Sequence, residues 1–226
     1  MFVVIEIWSD VVCPWCYIGK VRFDRAIEAL TSGPDAVDEP IEVVYRAYQL
    51  DPTAPVGTSN PVRETYAKKF GGYERAERII ENLTATARED GLDFRMDIAK
   101  RANTLLAHRI LWWTGATHGP AAQSRVKTAF LDAYFTRGLD VADVDVLADL
   151  AATAIGCATS DVSTMLAGDT GRGEVSEELA QAIGHGITGV PTYVIDGAWA
   201  IPGAQDTDTF ERVIRRSIER KAASAE

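Results

Sequence analysis

The pattern of apolar and polar positions predicts strands near both ends of the chain and helices between them. Residues Phe2–Trp8 form a short run rich in β-branched side chains with one charge, Glu6, which is typical of a largely buried strand. A helix is predicted over Pro14–Leu30 and a second strand over Ile41–Tyr48. Because a long connection separates these strands, we expect them to pair in parallel through a right-handed crossover.

Strand patterns are absent from about Asp51 to Gly186, where apolar residues recur at helical spacing instead. Several of these helices have clear ends: Pro120 is typical of a first helical residue, and Gly138 and Gly156 are typical of residues that follow a helix. The predicted helices cover residues 62–70, 74–90, 97–118, 121–137, 143–156, 161–168 and 173–185.

Strand character returns at Pro191–Asp196 and Ala198–Ile201, and Asp206 or Asp208 caps a final helix. Joined across the helical block, the flanks have the order β-α-β…β-β-α. This is the order of a thioredoxin-like fold, so the predicted class is α/β with a large all-helical domain inserted before the third strand. The predicted domains are a discontinuous thioredoxin-like domain, residues 1–51 and 187–226, and a helical insertion domain, residues 52–186.

Composition places the chain among soluble globular proteins and excludes some classes of partner. The 226 residues are 46% hydrophobic and 25% charged, with a formal net charge of −10. That charge argues against nucleic acid and against anionic membrane surfaces, which select basic patches. Residues 1–8 lack the features of a signal peptide, and no apolar stretch approaches the ~20 residues of a membrane span, so a cytoplasmic location is expected.

The candidate chemistry begins with Cys13-Pro14-Trp15-Cys16, at the junction of the first strand and the first helix. Pro14 suits the first helical position, which places Cys13 at the helix start beside unpaired backbone N–H groups. Redox-active pairs of this spacing have pKa values of roughly 3.5–7, against about 8.5 for a free cysteine. We therefore predict a reactive Cys13 thiolate with a lowered pKa, a higher pKa for Cys16, and a Trp15 partly exposed beside them.

A zinc site is the alternative interpretation of this motif, but it needs two further ligands. The available cysteine is Cys157, and neither it nor the histidines His108, His118 and His185 forms a second closely spaced pair. Redox chemistry is therefore favoured, with neither a metal nor an organic cofactor. Cys157 follows a predicted helix end and is interpreted as a small apolar residue.

A second part of the site is indicated by Val190-Pro191-Thr192, where a proline begins a strand. Together, the Cys-Pro-x-Cys helix start and this late proline resemble the DsbA-type branch of the thioredoxin-like oxidoreductases. The resemblance implies that the Val190–Pro191 bond is cis and faces the dithiol. It also implies that the Val190 backbone pairs with an extended substrate segment, so that a substrate cysteine lies over Cys13.

Three longer motifs resemble the FrnE-like cytoplasmic subgroup of that family. They are residues 9–19, residues 103–109 and residues 202–205. Some relatives carry a second cysteine pair, whereas Cys157 stands alone here, which argues against an electron relay through a second dithiol.

Four polar residues are weaker candidates. Glu6 is either a buried proton acceptor for Cys16, by analogy with thioredoxin-like folds, or a partly solvated strand residue. Asp10 is expected to raise the pKa of Cys13 through its negative charge. Helix packing is the favoured interpretation of His108. The alternative is that Asn103 and His108, which belong to a motif shared with the family, face the cleft between the insert and the thioredoxin-like domain.

These residues predict a thiol–disulfide oxidoreductase, a reductase or isomerase of protein disulfides. Cys13 attacks, Cys16 resolves the mixed disulfide, and Pro191 completes the site, with Pro14, Trp15, Val190 and Thr192 around it. The expected substrate is a disulfide-containing protein or a small thiol, and a low-molecular-weight thiol is a candidate co-substrate. The sequence leaves open whether the protein forms a homo-oligomer. The alternative is a glutathione-dependent isomerase or transferase of the kappa or hydroxychromene carboxylate isomerase type, although those enzymes place a serine where Cys13 stands.

Overall fold

The computed structural model describes residues 2–32, 35–56 and 60–223. Strands occupy both ends of the chain and helices most of the middle, as the sequence predicts. The strands are β1 Val3–Ser9, β2 Ile41–Ala47, β3 Asn60–Pro61, β4 Lys100–Arg101, β5 Thr192–Ile195 and β6 Trp199–Pro202. The helices are α1 Pro14–Ser32, α2 Val62–Phe70, α3 Tyr73–Glu89, α4 Leu105–His118, α5 Pro120–Phe135, α6 Val144–Ile155, α7 Thr159–Ala167, α8 Arg172–Gly184 and α9 Thr207–Ala223.

The four longer strands form one sheet in the order β2-β1-β5-β6. Strands β1 and β2 pair in parallel, with Ile5 opposite Val43, so the predicted crossover through α1 is confirmed. Strand β5 returns antiparallel to β1, and β6 pairs antiparallel with β5. The predicted order β-α-β…β-β-α is therefore the order observed.

Side chains of β1 alternate between two environments, because successive residues of a strand point to opposite faces of the sheet. Ile5 and Ile7 pack in a core that includes Phe23 of α1 and Phe210 of α9. On the other face, Trp8 packs with Ala182 of α8. Helices α1 and α8 therefore lie on opposite faces of the sheet. The face on which a polar side chain of β1 lies determines which of the two helices it can contact.

A larger core lies among the helices between β2 and β5, and it extends to the start of α1. Helix α5 packs against β2 and α1, which brings its buried face close to the end of β1. Within the described part of the chain, no helix is long and apolar enough to cross a membrane. The predicted domain boundaries stay a prediction.

Two sequence predictions are wrong in the helical region. Helix α4 begins at Leu105 and not at residue 97, because residues 100–101 form a strand instead. This strand, β4, pairs antiparallel with β3, which adds a two-residue ribbon where no strand is predicted. A ladder this short depends on contacts between segments 40 residues apart, so the local apolar pattern does not reveal it.

Candidate active site

The candidate dithiol lies where β1 leaves the sheet and α1 begins. Pro14 is the first residue of α1, as predicted, and the Cys16 backbone N–H donates to the Cys13 carbonyl at 3.0 Å. Both sulfurs are free thiols, and Cys13 and Cys16 are both buried. The turn of helix between them therefore holds the two cysteines together at the helix start.

The Val190–Pro191 segment lies directly against Cys13. The Cys13 Sγ donates to the Val190 carbonyl at 3.5 Å, and the Val190–Pro191 bond is cis, as the resemblance implies. The segment is fixed on both sides: Gly203 N donates to the Pro191 carbonyl at 2.8 Å, and Thr192 Oγ1 donates to the Gly189 carbonyl at 2.8 Å. The structure thus brings together the two motifs that lie 177 residues apart.

A groove of about 410 Å³ opens beside Cys13. One wall consists of Cys13, Trp15 and Val190, and the other comes from helices α2 and α3. The residues from these helices are mainly apolar, with one cation: Tyr66, Lys69, Phe70, Ile79, Asn82, Leu83 and Thr86. Trp15 is 45% exposed, which confirms the prediction made for it. Since Cys13 lines the groove and Cys16 does not, Cys13 is the sulfur that a bound substrate reaches.

A buried polar cluster lies beneath the dithiol and is centred on Asp10. The Asp10 carboxylate accepts from the backbone N–H groups of Val11 and Leu50, both at 2.8 Å. His108 Nε2 lies 3.3 Å from Asp10 Oδ1, so His108 is a buried partner of Asp10 as well as a helix-packing residue. Burial raises the pKa of Asp10, but the contacts with His108 and Leu50 outweigh it and hold that pKa below its ordinary value.

The prediction that Cys13 has the lower pKa of the two thiols is wrong for this reduced state. The interaction with the Cys16 side chain, burial and the Cys16 charge raise the pKa of Cys13 well above its ordinary value. The Cys16 N–H at the helix start lowers it, and the Asp10 charge raises it, as predicted, but both effects are smaller. The helix start alone therefore does not decide which thiol ionises.

The pKa of Cys16 is lowered instead. Burial raises it, but the hydrogen bond from Cys13, the positive charge of Lys127 and a hydrogen bond with Ser9 together outweigh burial. These shifts favour Cys16 over Cys13 as the sulfur that ionises first in the reduced pair, and the two sulfurs titrate together.

Lys127 is the member of this cluster that the sequence analysis missed. It lies on the buried face of α5, and its side chain has no exposed surface. The sequence contains a signal for it, because the buried residues of α5 include Gln123, Val126, Phe130 and Leu131, at helical spacing on either side of Lys127. A lysine within an apolar helix face indicates a compensating charge nearby or a functional role, because burying an unpaired charge costs free energy.

The remaining candidates lie elsewhere. Glu6 is not a proton acceptor for Cys16, because it lies on the face of β1 opposite α1, where Arg46 Nε donates to its carboxylate at 2.8 Å. Asn103 donates to the Ala54 carbonyl at 2.9 Å and accepts from the Leu105 N–H at 3.0 Å, so it shapes the loop before α4. Cys157 is half-buried and makes a local contact with the Ala158 carbonyl.

The zinc interpretation finds no support from the arrangement of side chains. Among residues 2–32, 35–56 and 60–223, no three His, Cys, Asp or Glu side chains are grouped as a metal site requires. This arrangement can perform thiol–disulfide exchange, because the Cys13 sulfur faces the groove and the Cys16 sulfur lies behind it, close enough to attack a mixed disulfide on Cys13.

Comparisons with known proteins agree with this geometry. A family model described as a DSBA-like thioredoxin domain matches residues 4–215. A solved structure, described as a probable DsbA oxidoreductase (SCO1869) from Streptomyces coelicolor, is 30% identical, with a TM-score of 0.82 over 96% of this chain and 90% of that one. These matches confirm the predicted α/β class with a thioredoxin-like fold.

Two more distant solved structures share the fold. One is the cytosolic disulfide reductase DsbM from Pseudomonas aeruginosa with GSH, 16% identical, with a TM-score of 0.66 over 96% of this chain and 99% of that one. The other is a 2-hydroxychromene-2-carboxylate isomerase, also 16% identical with a TM-score of 0.66, over 99% of this chain and 100% of that one.

Proposed function

The chain belongs to the family of DsbA-like thioredoxin-domain proteins, and we propose that it is a thiol–disulfide oxidoreductase whose redox centre is Cys13–Cys16. The observation that carries this proposal is a free dithiol whose outer sulfur, Cys13, both lines a groove and contacts the Val190 carbonyl. A cytoplasmic location and the FrnE-like assignment belong to the same proposal. The sequence motifs and the likeness to a cytosolic reductase support them.

In the proposed reaction, the dithiol reduces a disulfide that lies in the groove. The Cys13 proton passes to Cys16 along their hydrogen bond, and the Cys13 thiolate attacks one substrate sulfur. A mixed disulfide forms, and the other substrate sulfur leaves with its electron pair. Cys16 then gives its proton to the departed substrate thiolate and attacks Cys13 Sγ, which forms the Cys13–Cys16 bond and releases the second substrate sulfur as a thiolate. The substrate gains the two electrons that the dithiol loses.

The proposed substrates are disulfide-containing proteins, and a low-molecular-weight thiol such as glutathione is the proposed reductant. Reference potentials run from about −270 mV for thioredoxin to about −120 mV for DsbA, and we expect this couple to lie between them. Over most of that range the couple lies above cytosolic glutathione, which is at or below about −220 mV, so we expect the dithiol to be mostly reduced at rest. A protein whose dithiol is reduced at rest can reduce or isomerise substrate disulfides, which favours a reductase or isomerase role over net oxidation.

Single-cysteine variants test this function. Insulin reduction in a glutathione buffer should be abolished in Cys13→Ser, because no attacking sulfur faces the groove. In Cys16→Ser the mixed disulfide should accumulate, because nothing resolves it, and intact-protein mass spectrometry detects the adduct. Cys157→Ser is the matched control and should keep its activity. Insulin reduction that survives in Cys13→Ser would contradict the proposal.

A glutathione-dependent isomerase or transferase is the second candidate function. The groove beside Cys13 has the volume of a small-molecule site, and a 2-hydroxychromene-2-carboxylate isomerase shares the fold. That chemistry does not need a resolving sulfur. An isomerase would therefore keep its turnover in Cys16→Ser, whereas a disulfide reductase would lose it.

A further inference from the structure

Lys127 is a buried cation that the proposed exchange reaction leaves without a role. Its side chain is fully buried, and its Nζ has no hydrogen-bond partner among the residues that the structure describes. The Tyr45 ring of β2 lies beneath it, with its centroid 5.8 Å from Nζ. A buried ammonium without partners is costly, so a nearby negative charge is needed to keep it ionised.

Lys20 of α1 is a second buried lysine beside Tyr45, and its surroundings differ from those of Lys127. Its Nζ lies 5.5 Å from the centroid of the same Tyr45 ring, but it donates to Asp24 at 2.6 Å and to Ser124 at 3.0 Å. Lys20 therefore has a permanent counter-charge on its own helix. The structure shows no carboxylate hydrogen-bonded to Lys127 Nζ among the residues that it describes. Lys20 can therefore serve as the matched control for Lys127 in experiments.

The charges that act on Lys127 come from α1 and from the loop before it. Burial lowers the pKa of Lys127 to about 8, and the Cys16 charge raises it more than Asp10 or Cys13 does, while Lys20 lowers it further. Asp10 already accepts from two backbone N–H groups and faces His108. Cys16 lies one turn before Lys20 on α1, and both lysines face the Tyr45 ring. The Cys16 sulfur is therefore the group of the dithiol placed to act as counter-charge for Lys127, and only while the dithiol is reduced.

We propose that Lys127 supplies the buried positive charge that stabilises the reduced, singly ionised dithiol and so sets the reduction potential of the Cys13–Cys16 couple. This inference rests on the proposed oxidoreductase function. Reduction by glutathione converts the disulfide and two glutathione thiols into glutathione disulfide, one Cys13 thiol, one Cys16 thiolate and one released proton. The Lys127 ammonium favours this product side, because oxidation removes the thiolate that it faces. A protein whose reduced form is stabilised in this way is a stronger oxidant.

Equilibration in glutathione buffers, followed by alkylation of free thiols and mass spectrometry, measures the effect. Lys127→Met keeps the length of the side chain and removes its charge. We expect the equilibrium constant for reduction by glutathione to fall at least tenfold, which is about 30 mV towards a more reducing couple. Lys20→Met, the matched control, should stay within threefold of the wild type. Equal constants in the wild type and a folded Lys127→Met would overturn the inference.

A second measurement on the wild-type protein covers the outcome in which Lys127→Met does not fold. Lysine labelled with ¹³C at Cε reports the titration of each ammonium by NMR. The buried lysine that titrates near pH 8 in the reduced protein should have a lower pKa after oxidation, because its counter-charge is lost. An unchanged midpoint would refute the role of Lys127. If the wild-type dithiol does not equilibrate with glutathione at all, the proposed oxidoreductase function fails instead.

Discussion

At the scale of single residues, Asp10 ties the dithiol loop to the rest of the protein. Its carboxylate joins the loop before Cys13 to Leu50 and to His108 of α4. Each of these contacts favours the ionised form, so the folded protein holds the pKa of Asp10 below its value in the unfolded chain. A depressed pKa means that the stabilisation is present above the unfolded pKa, about 3.9, and is lost as the pH falls through the folded value.

Asp10→Asn should therefore destabilise the protein in a pH-dependent way. Near pH 7 we expect the free energy of unfolding to fall by about 1–3 kcal/mol, because a buried charged acceptor is lost. The difference between variant and wild type should begin to shrink below about pH 4, where Asp10 of the unfolded wild-type chain takes up its proton, and should vanish as the pH falls through the lower folded pKa. Urea unfolding from pH 3 to pH 7 measures this. Asp38→Asn, at an exposed loop position, is the control, and a gap that is the same at every pH would contradict the linkage.

At the scale of elements, helix α1 crosses β5 so closely that only a glycine fits at the contact. A Cβ on Gly19 would lie 2.6 Å from Tyr193 Oη, 3.1 Å from Pro191 Cγ and 3.2 Å from Ala204 Cβ. Tyr193 has little freedom to move, since it is buried and packs on Phe23 with ring centroids 5.0 Å apart. The absence of a side chain at Gly19 therefore sets how near Pro191 lies to the helix that carries the dithiol.

Gly19→Ala should destabilise the protein by about 1–3 kcal/mol, the usual effect of overpacking a buried contact. Gly173→Ala is the matched control, because a Cβ there meets nothing within 4 Å in helix α8. That control should be neutral or stabilise by up to about 1 kcal/mol, since alanine is the better helix former. Urea unfolding of both variants measures the difference. Equal free energies of unfolding for Gly19→Ala and the wild type would show that α1 can move away from β5.

At the scale of the whole molecule, the substrate groove joins parts of the chain that are distant in sequence. Helices α2 and α3 provide one wall, and the dithiol and the Val190 segment provide the other. Lys69 is the cation on the helical wall, whereas its exposed neighbour Lys68 does not line the groove. The charge at Lys69 should therefore influence which disulfides approach Cys13.

Lys69→Glu should reverse the charge preference of the first exchange step. We expect the reaction with the anionic 5,5′-dithiobis(2-nitrobenzoate) to slow and that with cationic cystamine to speed up. Each change should be roughly fivefold, as about 1 kcal/mol between exposed charges implies. Stopped-flow measurements at low and high salt check this, since salt should reduce both effects. Lys68→Glu is the control, and equal effects from both variants would indicate a general field rather than a contact in the groove.

The amino-acid sequence alone determined the order of elements and the two motifs of the site. Cys13 and Pro14 at a helix start and Pro191 at a strand start are local signals, because backbone geometry and turn chemistry select them within a few residues. The parallel pairing of β1 with β2 follows from the same local signals, since a long connection favours a crossover.

Only the tertiary structure decided which charges surround the dithiol. Because side chains alternate along a strand, Glu6 lies on the face of β1 where it meets Arg46. The packing of α5 brought the buried charge of Lys127, more than 100 residues away in sequence, close enough to act on Cys16. The ionisation of the two cysteines depends on these neighbours and on burial, so the helix start by itself predicted it wrongly. Electrostatic effects act through space, and the separation of charges in space is not encoded in any local pattern.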